Sequence, residues 1–277
     1  MSWRPAARKD FTAIHDFLLR DEALYVPFTS RLRSASRGWE VYCRSAGDGV
    51  VNGCFLFTTG GLLLPALTDV GEDLGELTNL VLDLRPMVHS IMGVGKGVRA
   101  IEAALPLPPT NRIEYFLMTL PRSALRPLIP SSLPGITVRQ ADPFDAEEMF
   151  PLQRGYELEE VVIAPSHFSD AQCMKLLRTS LKEQLVYVVE RDGTMTAKAA
   201  TNARGYGVDQ IGGVYTVPSE RGKGLGGLAV AELLRSVFTE KKEACLFVKK
   251  HNRPALALYE RLGFTPVNDY LISYYGL

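Results

Sequence analysis

Val217-Pro218-Ser219-Glu220-Arg221-Gly222-Lys223-Gly224-Leu225-Gly226 is the stretch on which the reading of this chain turns. An apolar run from Ile211 to Val217 leads into it. The segment that leaves it carries Val230, Leu233, Leu234, Val237 and Phe238 at helical spacing. The order is strand, glycine loop, helix. Glycines at positions 222, 224 and 226 let the backbone turn without Cβ clashes and let a ligand approach the main chain. Amide N–H groups in a first helical turn lack intrahelical acceptors, and the helix dipole favours an anion there. Arg221 and Lys223 add positive charge. These features describe a diphosphate cradle. Spacing excludes one commoner nucleotide loop. A Walker loop needs Lys then Ser or Thr after its last glycine, and Gly226 is followed by Gly227 and Leu228. The dinucleotide fingerprint G-x-G-x-x-G would take Gly222, Gly224 and Gly227, and not the alternate set 222, 224 and 226.

A second motif follows in Asn252-Arg253-Pro254-Ala255-Leu256-Ala257-Leu258-Tyr259, then Gly263-Phe264. The two motifs, in this order and separated by one helix and one strand, resemble the acetyl-coenzyme-A site of the GNAT superfamily of N-acetyltransferases. The resemblance spans about residues 136–275 and is most specific from Gly212 to Phe264, with Thr216-Val217-Pro218 standing where the family usually has Val-x-Pro. It implies an α/β fold (an α+β mixed sheet) that binds acetyl-CoA as co-substrate. Val214, Tyr215 and Thr216 would form the strand edge that pairs with the pantetheine arm. Arg221, Gly222, Lys223, Gly224, Leu225 and Gly226 would hold the diphosphate, and Asn252 would contact the cofactor. Tyr259 would sit beside the sulfur and supply a proton to the departing thiolate. One departure is Phe247, where members that acetylate peptide N-termini often carry Glu; it counts against that class of acceptor.

The chemistry needs a polarised thioester carbonyl, which a strand-edge N–H near Thr216 would provide as an oxyanion hole does. It also needs an uncharged amine, and a free lysine titrates near ~10.4, so a base is required. Tyr156-Glu157-Leu158-Glu159-Glu160-Val161 offers Glu160 first and Glu157 second, spaced to share one α-helical face. An acidic helix face is more often solvated than catalytic. By the resemblance, though, this segment walls the acceptor site. Asp209 and Gln210, at the start of the strand, are further candidates. The four histidines (His15, His89, His167, His251) form no constellation.

The remaining sequence bounds these expectations. The 277 residues suffice for one large domain or two ordinary ones, at 46% hydrophobic and 22% charged. With 31 basic and 31 acidic residues, no net field recruits nucleic acid or an acidic membrane. Four scattered cysteines, without a C-x-x-C pair, read as buried hydrophobes in a reducing compartment and not as a metal site. Arg4, Arg8, Lys9 and Asp10 leave no room for a signal-peptide core, and no window approaches the roughly 18 apolar residues of a membrane helix. The expectation is a soluble, cytoplasmic protein with no membrane or nucleic-acid partner.

Pro121, Pro127, Pro130 and Pro134 mark a linker over residues 121–135, between an N-terminal α/β domain (1–120) and a GNAT domain (136–277). Gly95-Lys96-Gly97-Val98 echoes Gly222-Lys223-Gly224-Leu225, which suggests that the N-terminal domain is a degenerate, smaller GNAT-like repeat without a ligand. The reading is an N-acetyltransferase that moves acetyl directly to a primary amine, on a small molecule or on a lysine or peptide. The rival is a non-catalytic acyl-CoA-binding sensor or interaction protein. Oligomeric state is not legible.

Overall fold

The chain runs twice through one order of elements in a computed structural model that describes residues 3–34, 38–45, 49–67, 74–84, 87–127, 134–163 and 168–276. The first pass comprises β1 (Arg4–Pro5), α1 (Phe11–Leu19), α2 (Val26–Arg33), β2 (Trp39–Ser45), β3 (Val51–Thr58), β4 (Leu62–Leu67), α3 (Leu74–Leu84), β5 (Ser90–Val94), α4 (Gly95–Ala104) and β6 (Asn111–Pro121). The second comprises β7 (Ile136–Gln140), α5 (Ala146–Tyr156), α6 (Asp170–Glu183), β8 (Val186–Arg191), β9 (Thr194–Arg204), β10 (Val208–Thr216), α7 (Leu225–Glu240), β11 (Glu243–Lys249), α8 (Arg253–Leu262) and β12 (Thr265–Tyr274). Residues 46–48, most of the proline-rich segment (128–133) and His167 lie outside the described residues. Among those described, no helix is long and apolar enough to cross a membrane.

The Cα atoms group into two units. One holds Met1–Met118, Phe247–Arg253 and Pro266–Leu277; the other holds Thr119–Leu246 and Pro254–Thr265. In the first, the strand order is β1-β2-β3-β4-β5-β12-β6. Alternation along β3 and β4 sends Phe55, Phe57 and Leu63 into a core with Leu77, Val81, Val98 and Ile101. The intervening Cys54, Leu56 and Leu64 meet Ile14, Leu18 and Phe28 on the other face. Helices thus cover both faces of the sheet, as a layered α/β unit requires.

β12 runs on from Thr265 although Pro266, Asn268 and Asp269 interrupt its apolar pattern. It pairs antiparallel with β5 from Tyr270↔Val94 to Tyr274↔Ser90. Pro65 lies within β4, between β3 and β5. Its missing N–H is tolerated because the registered pairing of β4 with β5 covers only Leu62↔Ser90 and Leu63↔Ile91.

The glycine cluster at residues 93–97 has a packing cause. A Cβ on Gly93 would lie 3.3 Å from the Pro65 ring, and one on Gly97 3.7 Å from it. In element order this cluster joins β5 to α4, and so corresponds to the β11–α8 junction and not to the loop between β10 and α7. The sequence echo is therefore displaced by one strand-helix step, whereas the repeat itself stands in the element order.

In the second unit the order is β11-β10-β9-β8-β7, with β10 and β11 parallel and the other neighbours antiparallel. Asp192 and Gly193 turn β8 into β9 with φ of 50° and 78°, as a two-residue hairpin turn needs. Met149 and Leu152 of α5 and Leu177 and Leu181 of α6 pack on Val188, Ala200 and Tyr215. Helix α7 packs on β8, β9 and β10 through Val230, Leu233, Leu234, Val237 and Phe238, all buried.

Candidate functional site

The site begins where β10 loses a neighbour. Its pairing with β11 runs from Val208↔Glu243 to Ile211↔Leu246, yet β10 continues to Thr216. On its other side, Gly212 pairs with Ala200 and Tyr215 with Lys198, so Gly213 and Val214 form a bulge without registered partners. Gly213 has φ of +58°. A Cβ on Gly212 would lie 2.0 Å from Asn202 Nδ2, and one on Gly213 3.2 Å from Lys198 Nζ. Both glycines are there because β9 side chains cross under this strand.

Past Thr216 the chain enters the glycine loop. Gly222 and Gly224 adopt φ of +79° and +81°, conformations that side chains disfavour, with open space where a Cβ would sit. Gly226 answers a different need, because its Cβ would meet Thr216 Oγ1 at 2.9 Å. Gly224 is the N-cap of α7 and supplies no capping side chain, so the first-turn N–H groups remain available to an anion. Leu225 is buried and anchors the helix start. The basic residues of the loop are engaged locally. Arg221 donates to the Thr216 carbonyl (3.1 Å) and to Glu159 (2.7 Å), and Lys223 donates to Glu220 (2.8 Å).

The acidic segment after α5 is not an α-helical face. Residues Glu157–Val161 form a π turn, closed by the Val162 N–H on the Glu157 carbonyl at 2.8 Å. The wider turn breaks the three-residue spacing that would align Glu157 with Glu160, and π turns recur at functional sites. Its glutamates take separate directions. Glu157 accepts from Gln153 Nε2 at 2.9 Å and neighbours the Lys198 charge; burial pushes its carboxyl up, against the pull of both. Glu159 accepts from the Tyr215 hydroxyl at 3.0 Å as well as from Arg221. Glu160 lies close enough to Tyr156 and Tyr259 for its charge to raise both phenols, although burial is the larger cause in each.

Lys198, absent from the sequence candidates, is 2% exposed. Its Nζ donates to the Gly213 carbonyl at 2.8 Å and lies 4.7 Å from the centre of the Tyr156 ring. Desolvation lowers its pKa to about 8, with Glu157 and Cys173 pulling the other way. A pocket of about 330 Å³ opens beside it, with Gln153, Glu157, Thr179, Gln184, Asn202 and Gly213 among its lining.

Tyr259 is buried in α8, its ring edge-on to Phe264 at 5.8 Å. Burial and Glu160 hold its phenol well above the ordinary value, so it is protonated at neutral pH. Asn252 precedes α8 and groups with the other unit, its N–H donating to the Lys249 carbonyl at 2.9 Å. Phe247, in that same unit, stacks on Tyr270 at 3.7 Å. Asp209 is fully buried in an ion cluster with Arg204 (3.2 Å) and Lys241 (3.7 Å), and Gln210 is 6% exposed; neither is open to an acceptor.

Residues 188–272 match the model of a family described as FR47-like protein. Solved structures match over nearly the whole chain. A GCN5-related N-acetyltransferase from Sphaerobacter thermophilus superposes with a TM-score of 0.66 at 18% identity, over 98% of this chain and 93% of that one. Another, from Kribbella flavida, gives 0.63 at 19%, over 92% and 95%. A tandem GNAT protein from the clavulanic acid biosynthesis pathway gives 0.59 at 16%, over 100% and 99%. The chain has the GNAT fold. No curated protein sequence matches it.

The two halves of this tandem GNAT fold differ at one strand. Among the described residues, β3 and β4 pair in unbroken register from Gly53↔Leu67 to Phe57↔Leu63, without the bulge that β10 carries. Sequence reasoning missed Lys198, Tyr156 and Glu159. Lys198 had a readable signal, a lone charge in the small-residue run Ala197-Lys198-Ala199-Ala200 of a strand. Nothing local marks Tyr156 or Glu159.

Proposed function

We propose that this protein is an N-acetyltransferase that moves the acetyl group of acetyl-CoA directly to a primary amine. The observation that carries the reading is one continuous track: the β10 edge beyond Ile211, its bulge, and the uncapped start of α7. The strand edge suits the amides of a pantetheine arm, and the α7 N-terminus suits a diphosphate. With Arg221 and Lys223 engaged elsewhere, main-chain N–H groups of residues 222–226 would do most of the holding. Asn252 is retained as a cofactor contact on the resemblance alone.

In the reaction the amine nitrogen attacks the thioester carbonyl, a bulge N–H stabilises the oxyanion, and the C–S bond then breaks. Of the two carboxylates, Glu157 is the better base: it lines the pocket, and its raised pKa brings it nearer neutrality. Glu160 acts electrostatically on the two phenols. Tyr259, held protonated, donates a hydrogen bond to the thiolate as it leaves. Cys245 is fully buried and unsuited to carry an acyl group, which favours direct transfer. The amide- and hydroxyl-rich pocket suits a small polar amine better than an apolar one.

Thiol release from acetyl-CoA, assayed over small polar amines, arylamines and peptides, tests the reading. Turnover with a small polar amine is expected. Tight acetyl-CoA binding without turnover on any amine would instead support an acyl-CoA sensor, and absence of binding would overturn both.

A further inference from the structure

Lys198 is a buried titratable group that acetyl transfer, as derived above, does not use. A lysine buried to 2% exposure gives up the hydration of its charge, so its retention asks for a partner that needs the charge. The partner is specific. Nζ donates to the carbonyl of Gly213, the residue at φ +58° in the β10 bulge. Absence of a Cβ at Gly213 permits this approach, since that atom would stand 3.2 Å from Nζ. The Gly213 N–H faces the Tyr156 oxygen, and its pull on that phenol is small beside the burial that raises it.

The consequence follows from peptide geometry. The chain contains no cis peptide among its described residues, so the Gly213 C=O and the Val214 N–H point in opposite directions. Turning the carbonyl to Lys198 turns the Val214 N–H away from it. Resting on the acetyl-transfer reading, we propose that Lys198 is a positioning residue that fixes the bulge so that the Val214 N–H faces the thioester carbonyl of bound acetyl-CoA. A cationic donor holds the carbonyl more firmly than a neutral one. It also polarises the shared peptide, which strengthens the N–H as a donor, and it places positive charge one peptide away from the developing oxyanion.

The groups facing the ammonium are Tyr156 from α5, Glu157 from the π turn, Cys173 from α6 and the Gly213 carbonyl from β10. The protonated lysine performs the role fully, and the neutral amine only as a weaker donor. With its pKa lowered to about 8, the rate should fall as pH rises through that region.

The test compares the whole protein with Lys198→Met and Lys198→Gln, each checked for a native unfolding transition. Losing an oriented oxyanion donor typically costs on the order of 10²–10³ in kcat, and Lys198→Met should show that loss with coenzyme A affinity within about threefold of wild type. Lys198→Gln, a neutral donor, should fall between the two, and both variants should lose the alkaline limb of the pH profile. Amide NMR supplies a readout independent of turnover. The Val214 N–H should shift downfield with acetyl-CoA and not with coenzyme A in wild type, and in neither case in Lys198→Met. Equal loss of coenzyme A binding and kcat, an unchanged kcat, or a Val214 shift that survives Lys198→Met would overturn the proposal. A wild type that shows the Val214 shift but acetylates no amine would sink the enzyme reading and leave the positioning role standing.

Discussion

The guanidinium of Arg221 and the carboxylate of Glu159 meet at 2.7 Å, which ties the glycine loop after β10 to the π turn after α5. Both side chains are well exposed, so the pair adds little stability. Its effect is on geometry, because Glu159 also accepts from Tyr215, the residue just past the bulge. Glu159→Ala should leave the unfolding midpoint unchanged and raise KM for acetyl-CoA by about three- to tenfold, with a smaller change in kcat. Steady-state kinetics at fixed amine would check it, and an unchanged KM would show that the loop keeps its shape unaided.

Gly224 and Lys223 should differ sharply despite being neighbours. Gly224→Glu forces a side chain onto φ of +81° and sets a carboxylate at the N-cap of α7, where the diphosphate would lie. Coenzyme A binding should vanish in calorimetry. Lys223→Ala removes a charge already spent on Glu220 and should weaken binding by no more than about fivefold. If Lys223→Ala proved the more damaging, the main-chain cradle would be the wrong account.

Tyr259→Phe removes only the hydroxyl and keeps the ring contact with Phe264. Loss of a proton donor in the transition state should lower kcat by about 10²-fold and leave acetyl-CoA affinity alone. A parallel rise in Kd would assign the phenol to cofactor binding.

The contrast between these residues shows what the sequence could convey. The loop at residues 217–226 was readable because its demands are local: positive φ at Gly222 and Gly224 and a free helix start. The Asp192-Gly193 turn is local in the same way, its positive φ values falling on two adjacent residues. Lys198 meets Gly213 across 15 residues of chain, and Glu159 meets Arg221 across 62; no periodicity encodes such meetings. The π turn hid as well, because a five-residue closure at Glu157–Val161 leaves the composition of an ordinary acidic helix end.

Glu157 should govern the acid side of the pH profile. Burial raises its pKa above the ordinary glutamate value, and a base works only when deprotonated. The rate should therefore fall as pH drops through that raised value, at higher pH than a solvated carboxylate would give. Glu157→Gln should lower kcat by on the order of 10²–10⁴ and abolish the acid limb. Glu160→Gln should keep that limb, and its loss there would move the base to Glu160.

Gly155 lies inside α5, where glycine costs about 0.5–1 kcal/mol relative to alanine, so Gly155→Ala would be stabilising on propensity alone. Packing reverses the sign. A Cβ there would lie 2.4 Å from the Tyr215 hydroxyl and 2.6 Å from its ring carbon. Overpacking of this kind costs about 1–3 kcal/mol, which exceeds the propensity gain, and Tyr215 cannot retreat without releasing Glu159. Gly155→Ala should lower the denaturant midpoint at unchanged m-value and also raise KM for acetyl-CoA, because the displaced ring sits beside the bulge. Tyr215→Phe in the same chain should recover stability only in part, since the ring contact persists. A stabilised Gly155→Ala would mean that the Tyr215 ring is free to move and that the link from α5 to the bulge is slack.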